Sequence, residues 1–170
     1  MSAAPGLEST KPADADLSVR SLLIPLEGMA ILVPNALVSE VATLGDVAPD
    51  AHGPGWLIGS ILWRGLRIPL VSFERITGAS GGNPGRNSRA IVFNTLNGNR
   101  DLPFIAILSQ RIPRLMLVTG RMLGRVDDAP AQEGILTRVE MHGDEVVVPD
   151  VDFLERMLVQ QGIRAGRVIG

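Results

Sequence analysis

Four times along this chain, two short apolar runs meet across a turn. Val19–Leu26 and Met29–Val33 flank Glu27-Gly28, and "WLIGSILW" and "LRIPL" flank Arg64-Gly65. "RAIVFNTL" and "LPFIAIL" flank "NGNRD", and "GILTRVEM" and "EVVVP" meet at His142-Gly143-Asp144. Apolar runs of this length joined by glycine-bearing turns predict β-hairpins, and Asn97-Gly98 is a strong turn signal. Hairpins laid in one long sheet would leave edges open, whereas closure removes them. The pattern therefore predicts a mainly β fold, two small β-barrels packed together.

The segments between hairpins fill in the order. "NALVSEVATL" follows Pro34, and its alternation from Val38 to Leu44 predicts a brief helical turn running into a strand. "GDVAPDAHGPGW" reads as a loop. Thr77 to Arg89 is rich in Gly, Ser and Asn with little to bury, so about 77–89 is expected to be a flexible link dividing the chain near its middle. "SQRIPRLMLVTG" predicts a further strand, and "RMLGRVDDAPAQEG" a loop with one helical turn. In "DVDFLERMLVQQG", Val151, Leu154 and Leu158 share one helical face. Asp150 or Asp152 can cap its start and Gly162 fits its end. Residues 1–17 read as a flexible tail, 18–158 as the domain and 159–170 as a frayed C-terminal tail.

Composition narrows the function classes. The chain of 170 residues is 45% hydrophobic and 20% charged, so it folds rather than remaining disordered. Aromatics are 4% and tyrosine is absent, so the core must be aliphatic. Cysteine is absent, which excludes disulfides, thiolate nucleophiles and cysteine metal sites. A formal net charge of −2 weighs against nucleic-acid binding. The opening "MSAAPGLESTKPADADL" lacks the basic start and apolar core of a signal peptide, and no run is long enough to span a bilayer. A cytoplasmic protein without membrane insertion is the expectation.

No constellation for catalysis, metal or cofactor emerges. His52 and His142 each sit beside glycine in predicted turns, with no second ligand at helical spacing. Asp127-Asp128 and Asp144-Glu145 are neighbours in sequence, so on a strand they point to opposite faces. "GASGGNPG" lacks the Lys-Ser/Thr and following helix of a phosphate loop. A hydrolase would need two of Asp46, Asp127 and Asp150 to converge in a cleft. A β-barrel nucleic-acid module, the alternative from another class, would need exposed aromatics and a basic face.

One residue breaks the apolar pattern. In "WLIGSILWRGLRIPL", Leu57, Gly59, Ile61 and Trp63 face one way and Ile58, Ser60, Leu62 and Arg64 the other. Both faces are nearly all apolar or small, so both are expected to be covered. Gly59 marks a bulge or the close approach of another backbone. Pro69 predicts an edge or an irregularity. Arg64 has two readings: a solvated turn residue, or a partly buried arginine whose fork a carboxylate holds. Glu40, alone in its apolar strand, is the candidate partner.

These residues carry a family resemblance. "GSILWRGLRIPLVSF" resembles the Gly-x-x-Asn-Leu-Arg-Gly-x-x-x-Pro-Val-x-Asp-Leu segment of the CheW-like chemotaxis coupling proteins. "LLIPLEGMAILVPNALVSEV" is similar to that family's first hairpin and following strand, and "GILTRVEMHGDEVVVPDVDFLERML" to its closing hairpin and helix. The resemblance implies two five-stranded SH3-like β-barrel lobes with a C-terminal helix. It implies no catalysis and no cofactor. The implied role is an adaptor bridging a methyl-accepting chemoreceptor and a CheA-type histidine kinase, with neither nucleic acid nor membrane as partner. Carried over by position, the receptor-side groove would include Val38, Glu40, Gly59, Arg64 and Gly65. The kinase would meet the exposed hydrophobic edge of one lobe, near Ile68. The sequence departs from the pattern at Leu62-Trp63, at Ser72 and at Leu108-Ser109-Gln110-Arg111. Such departures suit a divergent paralogue, for instance in a twitching pathway driven by type IV pili.

Overall fold

The computed structural model describes residues 17–126 and 130–167. Of the expected N-terminal tail only Leu17 falls within that range, and Asp127 and Asp128 fall outside it. The chain runs β1 (Ser18–Pro25), β2 (Ala30–Pro34), a 3-10 turn (Asn35–Leu37), β3 (Val38–Thr43), β4 (Val47–Pro49), β5 (Leu57–Trp63), β6 (Leu66–Val71) and α1 (Phe73–Ile76). It continues through β7 (Arg89–Asn94), β8 (Phe104–Ser109), β9 (Arg114–Thr119), a 3-10 turn (Gly120–Met122), β10 (Gly124–Arg125), β11 (Ile135–Met141), β12 (Asp144–Pro149), α2 (Val151–Gln160) and β13 (Gly166–Arg167).

All four hairpins form, as β1–β2, β5–β6, β7–β8 and β11–β12. Two share one turn geometry. Arg64 and Gly65 have φ of 48° and 77°, and His142 and Gly143 have 53° and 84°. Positive φ at both central residues is the type I′ pattern, whose twist matches that of the flanking strands. The helix α2 is capped as its sequence suggests. The Asp150 carboxylate accepts the Phe153 N–H at 3.0 Å, and Val151, Leu154 and Leu158 are buried.

The strands form two sheets, β10-β11-β12-β2-β1-β9 and β3-β7-β8-β6-β5-β4, with β13 added beside β6. Setting aside β4, β10 and β13, each only two or three residues long, five strands remain in each lobe. The first sheet takes β1, β2 and β9 to β12, whereas β3 to β8 lie wholly in the second. The chain therefore changes lobe after β2 and after β8, returns to the second sheet at β13, and holds residues 77–89 inside the second lobe.

That segment is also tied down. The Gly82 N–H donates to the Glu27 carboxylate at 2.8 Å, and Arg75 donates to the carbonyls of Gly81 and Gly55 at 2.9 and 3.1 Å. Glu74, fully buried on α1, accepts the Glu27 N–H at 2.8 Å and the Ser72 hydroxyl at 3.0 Å. Composition suggests a flexible link because Glu27 and Gly55, which anchor this network, are distant in sequence. Other local readings also change. Val47–Pro49, in the expected loop, forms an edge strand on β5, and the supposedly frayed C-terminus pairs at Gly166–Arg167 with β6.

The core reflects strand alternation. On β7, Ile91 and Phe93 join a cluster that draws from both sheets and α2, while Ala90 and Val92 face a second cluster inside the β3–β8 lobe. On β8, Ile105 and Ile107 divide from Ala106 and Leu108 in the same way. Central strands covered on both faces read as continuous apolar runs. On β5 only one face is fully covered: Leu62 is 55% exposed.

Candidate functional site

The second sheet's order places β3 at one end and β4 and β5 at the other. The sheet nevertheless curls until side chains from β3 and β5 touch. Glu40 is the contact point on β3. Its Oε2 accepts the Trp63 indole N–H at 3.0 Å and the Arg64 guanidinium at 2.9 Å. The guanidinium also lies over the Trp63 ring, 4.8 Å from its centroid, and Phe104 meets the other surroundings of that ring edge-on at 4.7 Å. Trp63 is buried to 7% exposure in the core of its lobe, while the Arg64 side chain stays 67% exposed.

The geometry resolves the two readings of Arg64 by combining them. The residue is a turn residue and is held by Glu40. The ion pair is solvated and contributes at most about 1 kcal/mol on its own. Its value lies in orientation: a carboxylate and an indole face hold the arginine where it projects to solvent.

Beside this contact runs an open groove of about 920 Å³ along the seam of the lobe, lined among others by Glu40, Asp46, Leu62, Trp63, Arg64 and Arg67. Its chemistry is mixed, with carboxylates, guanidinium groups and an apolar floor. Asp46 lines this groove but Asp150 does not, being occupied as the cap of α2. The carboxylate cleft a hydrolase would require is not formed by that pair. All six aromatic rings, Trp56, Trp63, Phe73, Phe93, Phe104 and Phe153, are buried or half-buried, so the stacking surface of a nucleic-acid module is missing among them.

The expected site residues separate into distinct positions. Glu40 and Arg64 meet, with Gly65 exposed at the tip of the same turn. Val38 starts β3 and packs half-buried against the core shared by the two sheets. Gly59 is buried, and an added Cβ would collide with the carbonyl oxygen of Ala48. The close backbone approach expected at Gly59 is present, and so is a register irregularity between Leu57 and Gly59. Ile68 is fully buried beside Ile61, Trp63 and Leu70. It offers no surface, so a partner contact cannot be made by Ile68 itself. Its strand is central, and its side chain points into the lobe.

Exposed apolar side chains occur on β9, an edge strand of the first sheet, where Leu115 and Leu117 are 57% and 56% exposed, and just before it at Ile112, which is 65% exposed. The segment "RIPRLMLVT" carries a continuous apolar run from Leu115 to Val118, which predicts a strand but does not tell which of its faces is left open. Trp63 and Arg67 join the groove without having been singled out as site residues, and Asp46, considered only as a hydrolase carboxylate, joins it too. Trp63 carries a signal in the sequence, as a departure from the family pattern beside the arginine.

A family model described as CheW-like domain matches residues 20–155. Among solved structures, the chain is similar to the scaffolding protein TtCheW from Thermoanaerobacter tengcongensis. The TM-score is 0.67 at 13% sequence identity, covering 81% of this chain and 92% of that chain. At that identity the likeness concerns the fold, two SH3-like lobes. No curated protein sequence matches.

Proposed function

The chain belongs to the CheW-like domain family, and on that premise we propose that it is a non-catalytic adaptor of chemosensory signalling, coupling a methyl-accepting receptor to a CheA-type histidine kinase. The observation that carries this reading is the seam at Glu40, Trp63 and Arg64. There a positioned, exposed arginine stands beside a groove of mixed polarity. The receptor would lie along that groove, contacting Arg64 and Gly65, while Val38 and Gly59 support the strands behind it.

The kinase would dock on the β9 edge, where Leu115 and Leu117 are exposed and Arg111 and Arg114 flank them. This replaces the region of Ile68 as the hydrophobic edge. Two separate contacts on one small domain give an assembly function. Each can be weak, because holding one partner raises the effective concentration of the other. Among the described residues, no helix is long and apolar enough to cross a membrane. The adaptor is proposed to act in the cytoplasm at receptor arrays. Leu62 and Trp63, which stand where the family pattern has Asn-Leu, favour a divergent pathway such as one controlling type IV pilus twitching.

The test is Arg64→Glu, with binding to receptor and kinase fragments from the same cell measured separately. The expected result is at least a tenfold loss of receptor affinity with kinase affinity and melting temperature retained. A folded variant that binds both partners as before would remove Arg64 from the site.

A further inference from the structure

The side of β6 turned away from β5 has two different neighbours. β8 pairs with it at Leu70 and Val71, opposite Ala106 and Ile107. At Leu66 and Arg67, just after the Arg64-Gly65 turn, the neighbour is β13, with Arg167 opposite Leu66 and Gly166 opposite Arg67. Pro69, which cannot donate to a ladder, stands between the two pairings. β8 thus leaves part of this edge uncovered, and a two-residue strand near the C-terminus fills it.

This strand is lightly held. Gly166 and Arg167 are exposed even while paired. The Arg164–Asp101 pair is 4.0 Å long, with both side chains mostly exposed, so it adds little. The firmer ties are the Ala165 N–H to the Asp101 carbonyl at 2.8 Å and the partly buried side chains of Ile163 and Ala165. Gly162, at φ 70°, separates the segment from α2 and provides a pivot. Beside it opens a cavity of about 510 Å³, lined among others by Ala48, Gly59, Arg67, Pro69 and Arg164.

We propose that this edge of β6 is a strand-acceptor site, occupied in cis by residues 163–167 as an exchangeable strand. Its competing ligand is an extended peptide with a small residue opposite Arg67 and a basic residue near Asp101. Main-chain hydrogen bonds supply affinity in such strand addition, and side-chain register supplies selectivity. The site touches the seam directly, because Leu66 pairs with Trp63 on one side and with Arg167 on the other. Exchange of the strand therefore alters the support of the arginine turn. Only this last consequence rests on the adaptor reading.

In a two-residue hairpin the closing pair, Trp63 and Leu66, is hydrogen-bonded, so by alternation the Arg67 amide faces β13. Amide hydrogen exchange in the full chain reads the site at that amide. Arg67 is expected to exchange at least tenfold faster than Ile107. In Gly166→Pro, which removes one donor of the pair, it should accelerate at least a further tenfold with the melting temperature unchanged. Adding the peptide Gln-Gly-Ile-Arg-Ala-Gly-Arg (residues 161–167) to that variant should restore protection, and the same peptide with proline at the Gly166 position should not. Exchange of Arg67 only at the rate of Ile107, unfolding of Gly166→Pro, or failure of the peptide to protect would each overturn the proposal. Receptor binding forms a separate arm. If the wild-type chain binds no receptor, the adaptor reading fails while the exchange measurements still decide the strand site.

Discussion

Glu40 on β3 and Trp63 at the end of β5 are joined by an indole N–H to carboxylate hydrogen bond of 3.0 Å, across strands at opposite ends of their sheet's order. The same carboxylate oxygen receives Arg64 at 2.9 Å. One buried donor thus fixes the acceptor that orients an exposed cation. Removing the donor while keeping the ring should separate orientation from packing.

Trp63→Phe keeps an aromatic ring against Phe104 and loses the indole N–H. The expected stability loss in urea unfolding is about 1–3 kcal/mol, one hydrogen bond together with the space the smaller ring leaves in a buried site. Receptor affinity should fall by more than that loss of stability can explain, because Arg64 loses its fixed partner. Retained affinity in Trp63→Phe would show that the orientation of Arg64 is immaterial.

Gly59 and Gly65 should respond differently to alanine. At Gly59 the new Cβ meets the Ala48 carbonyl oxygen and the Pro49 backbone. Relief requires moving β4 off β5, so a loss of more than about 2 kcal/mol is expected. At Gly65, φ is +77° with open space around the Cβ, so the cost should be that of the left-handed conformation alone, about 1–2 kcal/mol. Equal losses, measured by thermal unfolding, would contradict the close approach of β4 at Gly59.

Ile68 and Leu117 distinguish a core position from an exposed edge. Ile68→Ala opens a cavity at a fully buried site and should cost about 2–5 kcal/mol. Leu117→Asp changes a side chain on a residue 56% exposed and should shift stability by about 0.5 kcal/mol or less. Kinase affinity should follow the reverse order: strongly reduced in Leu117→Asp, and unchanged in Ile68→Ala at a temperature where it is folded. Kinase binding insensitive to Leu117→Asp would move the contact away from β9.

Glu74→Ala should destabilise by about 1–3 kcal/mol, since the Glu27 N–H and the Ser72 hydroxyl both lose their acceptor. The loss should appear together with faster proteolysis within residues 77–89, the segment this network ties down. Unchanged cleavage there would mean that Arg75 and Glu27 suffice to hold it.

The hairpins, their turns and the cap of α2 were legible in the sequence because each depends on neighbours within a few residues. Gly65 and Gly143 favour the positive φ of their two-residue turns, and Asp150 caps from three residues away, whereas the Asn97-Gly98 pair falls within a longer connection whose hydrogen-bonded turn is at Asn99–Leu102. Glu40 could be named as a partner for Arg64 because it was the lone charge in an apolar strand. Which hairpin belongs to which lobe was not legible. Apolar alternation fixes the face of a strand and not its neighbour, so the chain's middle looked like a boundary when it lies inside one lobe.

By itself, then, the sequence determined a β-rich chain of hairpins with an arginine at one of the turns, through local steric and hydrogen-bonding preferences. The tertiary structure decided the rest. Curling of the second sheet brings β3 to β5, sets Glu40 against Trp63 and Arg64 and buries Ile68, while the place of β9 at the edge of the first sheet leaves Leu117 in solvent. The C-terminal strand finds its place only because β8 pairs with part of β6. These outcomes depend on closing long loops and packing distant faces, which no window of sequence contains.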